Sequence, residues 1–180
     1  MNEVENYEIH FTKRSEREDV KTLARSFFDS DFQSEFMSLT QEERTSVLDN
    51  LSNSVFESTK QSKNEISLVA KDTSNQNIIA FLSAETFDKN SIIINFVLTN
   101  SSYNVSAKYT TMFIEALKIL LKYFGLKNIY VKLNSENQKG TNFLRRTFET
   151  SYISSPRYDI MKLNWSKYFI KNNVTFKNEF

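Results

Sequence analysis

The sequence predicts a mixed α/β (α+β) fold, in which helices flank a mostly antiparallel sheet that contains one parallel strand pair. Three observations lead there. Two stretches with apolar residues at helical spacing each begin with the S/T-x-x-E pattern of a capping box. Three alternating or apolar segments follow, joined by short polar turns, as in a meander. A strand, a long apolar helix and a second strand then succeed one another at the length of a βαβ crossover, which joins parallel strands.

Residues 7–13 alternate in part, through Ile9 and Phe11, and read as a first strand. Ser15-Glu16-Arg17-Glu18 is the first capping box, and Val20, Leu23, Ala24, Phe27 and Phe28 form the apolar stripe behind it. Thr40-Gln41-Glu42-Glu43 is the second box, followed by Val47, Leu48, Leu51, Val55 and Phe56. Lys60 and Lys63 stand where cations suit the end of a helix dipole. Residues 65–71 then alternate through Ile66, Leu68 and Ala70, and residues 72–77 are a turn cluster. Residues 78–87 are a strand, Asp88-Lys89-Asn90 a tight turn, and residues 91–98 an almost wholly apolar strand whose two faces should both be covered. A polar loop over 99–106 leads to a helix over 107–124 that Gly125 ends as a C′ glycine. The strand over 129–133 should lie parallel to 91–98. A loop over 134–139, a short helix over 138–148 and strands over 151–155 and 157–165 around Pro156 complete the order. Residues 167–180 read as an edge strand or as a tail with aromatic anchors.

A length of 180 residues suits one domain, expected over 1–180 with a core over about 7–165, and 16 Phe supply that core. The absence of Cys excludes disulfides, thiolate metal sites and Cys nucleophiles, and the single His10 excludes multi-His metal sites, so no metal is expected. Two Gly and one Pro cannot build a Walker loop or a dinucleotide fingerprint. A net charge of +1 gives no pull on a polyanion, so no nucleic-acid partner is expected. Residues 1–6 lack a signal pattern, and no apolar run approaches the roughly 18 residues of a membrane span. The expectation is a cytoplasmic protein with no membrane partner.

The order β, α, α, β, β, β, α, β, α, β, β resembles the GNAT superfamily of acyl-CoA-dependent N-acyltransferases (GCN5-related N-acetyltransferase-like) over residues 7–165. Two segments carry the resemblance. Ile92-Ile93-Ile94-Asn95-Phe96-Val97-Leu98 resembles the family's fourth strand, and the run from Asn134 to Leu144 resembles its later motif, with Asn137 as the motif Asn. Ser67-Leu68-Val69-Ala70-Lys71-Asp72 with Ile78-Ile79-Ala80 is similar, more weakly, to the arylalkylamine branch. The resemblance implies a splayed parallel strand pair with pantetheine in the gap and the coenzyme pyrophosphate on the amides at the start of the next helix. It implies acetyl transfer from acetyl-CoA, as co-substrate, to a primary amine on a small molecule or peptide by direct attack, with a base on the amine and main-chain N–H groups on the oxyanion.

Carried over position by position, Phe96, Val97 and Leu98 match the strand that meets pantetheine. The phosphate loop falls on 104–110, with Ser106, Ala107, Lys108, Tyr109 and Thr110 as contacts, but without the family's glycines. Lys108 and Tyr109 either add to this site or block it. The Tyr that often serves as general acid falls on Leu144, leaving Tyr103 or Tyr109 as replacements. Glu85 reads as the base or as a solvated carboxylate near a strand end. Asn95 reads as an orienting group or as a satisfied core amide. Glu35 lies where the arylalkylamine branch carries a functional Glu, with Phe36 in place of the usual Pro. His10, Arg145 and Arg146 have bland structural readings beside their chemical ones. The rival function is a catalytically degenerate binding or regulatory protein of this fold, and a homodimer fits either.

Overall fold

The computed structural model describes every residue except Met1, Phe32, 134–137, 155–158 and 175–180, and only the backbone of 34, 35, 138, 152–154 and 159. Its elements are β1 (Asn2–Glu3), β2 (Tyr7–Phe11), a 3₁₀ turn (Arg14–Glu16), α1 (Arg17–Asp31), α2 (Gln33–Phe36), α3 (Gln41–Glu57), β3 (Glu65–Asp72), β4 (Ile78–Asp88), β5 (Ser91–Thr99), β6 (Tyr103–Asn104), α4 (Tyr109–Phe124), β7 (Asn128–Leu133), α5 (Gln138–Thr147), β8 (Thr150–Ser154), β9 (Asp159–Leu163) and α6 (Trp165–Lys171). A seven-stranded, mostly antiparallel sheet has the order β2-β3-β4-β5-β7-β9-β8, and β1 pairs with β6 in a parallel two-stranded sheet. The chain forms two compact units, residues 1–83 with 96–112, and residues 84–95 with 113–180.

In the first unit the Thr40 capping box is present: Glu43 N–H donates to Thr40 Oγ1 at 3.2 Å, and Thr40 N–H donates to Glu43 Oε2 at 2.7 Å. The start of α1 differs from the sequence reading. Glu16 reaches back to accept from Lys13 N–H at 2.8 Å, so a 3₁₀ turn precedes the helix and Ser15 is not its cap. The apolar stripes of α1 and α3 meet each other and the sheet through Val20, Leu23, Phe28, Leu48, Val55, Val69, Phe81 and Leu98. A second cluster joins Val4, Ala70, Ile79, Tyr103, Val105 and Met112. The β3–β4 turn is held by Asp72, which accepts from Ser74 N–H at 2.8 Å, and Gln76 takes φ 63° there.

Glu16 is a buried carboxylate of this unit, 5% exposed, as is Asp72 at 4%. Burial alone would raise its carboxyl, but Lys13 N–H, His10 Nε2 at 3.0 Å and Lys71 Nζ at 3.1 Å outweigh that and hold it below the ordinary 4.5. A folded-state pKa below the unfolded one contributes stability that is full above about pH 4.5 and is lost as pH falls through the folded value. Glu16→Gln is therefore expected to cost about 2 kcal/mol in urea unfolding at pH 7, and the gap to wild type to close in acid. An equal gap at pH 7 and pH 3 would reject this account.

In the second unit, β7 runs parallel to β5 from Ser91↔Asn128 to Ile94↔Val131, as the crossover predicts. Gly125 ends α4 with φ 87°, a conformation a side chain disfavours. Leu117, Leu120 and Leu121 on α4 and Ile129, Val131, Met161 and Leu163 on the sheet are essentially inaccessible. Residues 165–171 form α6, where the sequence reading offered an edge strand or a tail. The aromatic residues of the tail explain it: Trp165 packs edge-on to Phe169 at 5.5 Å, and Tyr168 lies 4.9 Å from Phe148.

Candidate active site

The β5–β7 ladder stops at Ile94↔Val131, yet β5 runs on to Thr99 and β7 to Leu133. Asn95 and Lys132 thus fall outside the ladder, the pattern expected of a splayed parallel pair. In the first unit, Phe96 and Val97 are half-buried, whereas Leu98 is 2% exposed and points into the cluster under α1 and α3. Leu98 can therefore meet a ligand only through its main chain. Phe96 packs on the same cluster.

The loop before α4 is built by Asn104, whose Oδ1 accepts from Ser106 N–H at 3.3 Å and from Ser106 Oγ at 2.7 Å. Lys108 N–H donates to Val105 O at 3.0 Å, and the first helical bond is Met112 N–H to Lys108 O at 2.9 Å. The helix therefore begins at Tyr109, two residues later than the sequence periodicity suggests. Among the described residues, no hydrogen bond reaches the N–H of Ala107, Thr110 or Thr111. All three residues are exposed. These are the orphan donors that every helix start presents. Thr111 was missed in the sequence, because a main-chain donor leaves no trace in residue type.

Lys108 and Tyr109 are both turned away from this loop. Lys108 Nζ donates to Glu5 O in the N-terminal segment. Tyr109 packs against the cluster of Val4, Tyr103 and Met112, and burial pushes its hydroxyl up to about 12. The two side chains that could have plugged a glycine-less loop are thus occupied by the N-terminal segment and the core. With small Ser106 and Ala107 at the surface and unpaired amides beside them, the residues present fit a coenzyme pyrophosphate at the start of a helix. Ser106 contributes least through its main chain, since Asn104 already takes its N–H.

In the second unit, Asn95 Nδ2 donates to Glu85 Oε1 at 2.9 Å, which brings together two of the sequence candidates. Both residues are half-buried, and no partner is assigned to Glu85 Oε2 among the described residues. A carboxylate fixed through one oxygen and open at the other is positioned to accept a proton. Phe87 and Tyr130 pack at 5.7 Å, and Phe87 is 47% exposed. Sequence reasoning missed this aromatic pair, since nothing in the order of residues sets a β4 ring against a β7 ring.

The other candidates separate. Glu35 lies on α2 and its side chain is outside the described residues, as is Asn137 altogether. His10 is engaged with Glu16. Arg145 and Arg146 are exposed on α5. Leu144 is 4% exposed and supplies no acid. The Tyr103 hydroxyl, in a 6% exposed residue, accepts from Asn75 Nδ2 at 3.1 Å and Asn77 Nδ2 at 2.7 Å. Among the described residues no group of three acidic or His side chains could hold a metal ion, and no helix is long and apolar enough to cross a membrane.

Element order, the mixed sheet and the interrupted parallel ladder give a GNAT-like fold. The PaiA N-acetyltransferase of Thermoplasma acidophilum, solved in complex with coenzyme A, superimposes with a TM-score of 0.70 at 16% identity, covering 88% of this chain and 98% of that one. An acetyltransferase from Thermus thermophilus gives 0.63 at 11% identity, over 89% and 96%. A mutant of the spermidine N-acetyltransferase from Vibrio cholerae gives 0.61 at 17% identity, over 92% and 98%. No protein-family model matches the chain, and no curated protein sequence does.

Proposed function

We propose that this protein is an acyl-CoA-dependent N-acyltransferase that moves an acetyl group from acetyl-CoA to a primary amine by direct attack. The observation that carries the reading is the parallel ladder that ends at Ile94↔Val131, followed in the chain by a helix whose first amides are unpaired and exposed. The likeness to a fold that holds coenzyme A in the Thermoplasma protein supports it.

The main chain of Phe96, Val97 and Leu98 would hold the pantetheine arm much as an added strand is held. The amides of Ala107, Thr110 and Thr111 would hold the pyrophosphate, while Lys108, whose N–H and C=O are bonded to Val105 and Met112, and Ser106, whose N–H and hydroxyl go to Asn104, shape the loop without adding a donor. Acetyl-CoA, when bound, supplies the activated acyl thioester. Glu85 takes the proton of the incoming ammonium at Oε2 while Asn95 fixes Oε1. Asn137 and Glu35 are assigned to the coenzyme and the acceptor by resemblance. No side-chain acid stands at Leu144, so the leaving thiolate takes its proton from water.

The missing acid favours a second reading, a protein of this fold that binds without turnover. One assay separates the two. Purified protein with acetyl-CoA and a panel of primary amines, from polyamines to arylalkylamines and peptide N-termini, is expected to release free thiol and acetylated product together. Coenzyme binding without product from any amine would select the second reading.

A further inference from the structure

The end of the sheet where β5 begins carries a pocket that the proposed chemistry does not use. It lies wholly in the second unit and has a volume of about 710 Å³, within the roughly 300–1,000 Å³ of small-molecule sites. Three lysines line it from three separate elements: Lys89 from the β4–β5 turn, Lys127 from the α4–β7 connection and Lys162 from β9. Ser151 and Ser166 add hydroxyls, and among the described residues no carboxylate is in its wall. None of the three ammonium groups has an ion-pair partner among the described residues, whereas Lys167 nearby in the chain pairs with Glu149 at 2.6 Å. Asp88, beside Lys89 in sequence, faces Asn90 N–H at 2.7 Å and is not part of the lining.

A structural explanation is available for part of this. Phe124 and Gly125 put the end of α4 in the pocket wall, and lysines favour helix C-termini. The dipole there amounts to about half an elementary charge, however, against three full positive charges. Most of the positive charge is left without an internal partner. Trp165 completes the wall, its indole N–H tied to Lys127 O at 3.0 Å, which fixes an aromatic ring beside the cationic rim.

We propose that this pocket binds a phosphate-bearing small molecule, through Lys89, Lys127 and Lys162. The pocket shares no lining residue with the proposed coenzyme contacts. It does not depend on the protein being a transferase. Its test uses the full chain and inorganic pyrophosphate as probe, followed by calorimetry and by the emission of Trp165, the sole tryptophan. Saturable binding is expected, absent with sodium chloride of equal ionic strength. Lys89→Gln and Lys127→Gln, both outside the strands, should each weaken it roughly tenfold. Ala107→Glu, which closes the helix-start amides to the probe, should leave the lysine-dependent binding unchanged. No saturable heat in the wild-type chain would overturn the site. So would binding that survives both lysine changes, or binding that Ala107→Glu removes.

Discussion

Ala107→Glu is expected to abolish coenzyme A binding while leaving the fold untouched. Ala107 is exposed in the turn before α4, and its N–H is unpaired. A carboxylate there, about 4 Å from a bound pyrophosphate, would repel it by about 4 kcal/mol at an effective dielectric near 20, roughly a thousandfold in affinity. The same carboxylate without ligand sits near a helix N-terminus, where acidic groups are tolerated or favoured, so the melting temperature of the free protein should hardly change. Wild-type protein should gain about 2.7 kcal/mol of stability at a hundred times Kd, seen as a raised melting temperature. The variant should show no shift at millimolar acetyl-CoA. An equal shift in both would remove the helix start from the coenzyme site, and no shift in either would remove the transferase proposal itself.

Glu85→Gln should lower kcat by about 10²–10⁴ without changing coenzyme affinity. The substituted side-chain amide would still accept from Asn95 through its oxygen, so the geometry of the pair is kept and only the proton acceptor is lost. Asn95→Ala should give a smaller loss, because the carboxylate remains but is no longer held. A Glu85→Gln enzyme within threefold of wild type at neutral pH would return Glu85 to the role of a strand carboxylate. Proton transfer from the ammonium would then fall to water.

Much of the fold was legible because periodicity is local. The apolar stripe from Val20 to Phe28, the Thr40–Glu43 box and the φ 87° glycine at 125 are all decided within one or two turns of chain. The strand–helix–strand length then imposed a parallel β5–β7 pair. What escaped depends on partners far along the chain. β1 is two residues that pair with Tyr103 and Asn104, and no pattern of two residues can announce that. Glu16 looked like part of a Ser15 box, yet it caps at Lys13 because His10 and Lys71 from two strands draw its carboxylate inward. The tail formed a helix because its rings found Phe148.

The candidate site divides in the same way. Residue order was enough to set Phe96 to Leu98 on a strand and residues 104–110 ahead of a helix, which is all that a ligand held by main chain would need. Whether Lys108 and Tyr109 would obstruct that loop was undecidable from order alone. It turned on Glu5 and on the cluster around Val4, far away along the chain.

The linear order of residues was enough to specify the elements, their succession and the parallel crossover, because each follows from spacing that a short window of chain contains. Only the folded molecule decided which oxygen of Glu85 is held and where two bulky side chains turn. It also decided that three lysines from a turn, a connection and a strand line one cavity. Those facts depend on side chains meeting across long stretches of sequence, and distance in space is not written in distance along the chain.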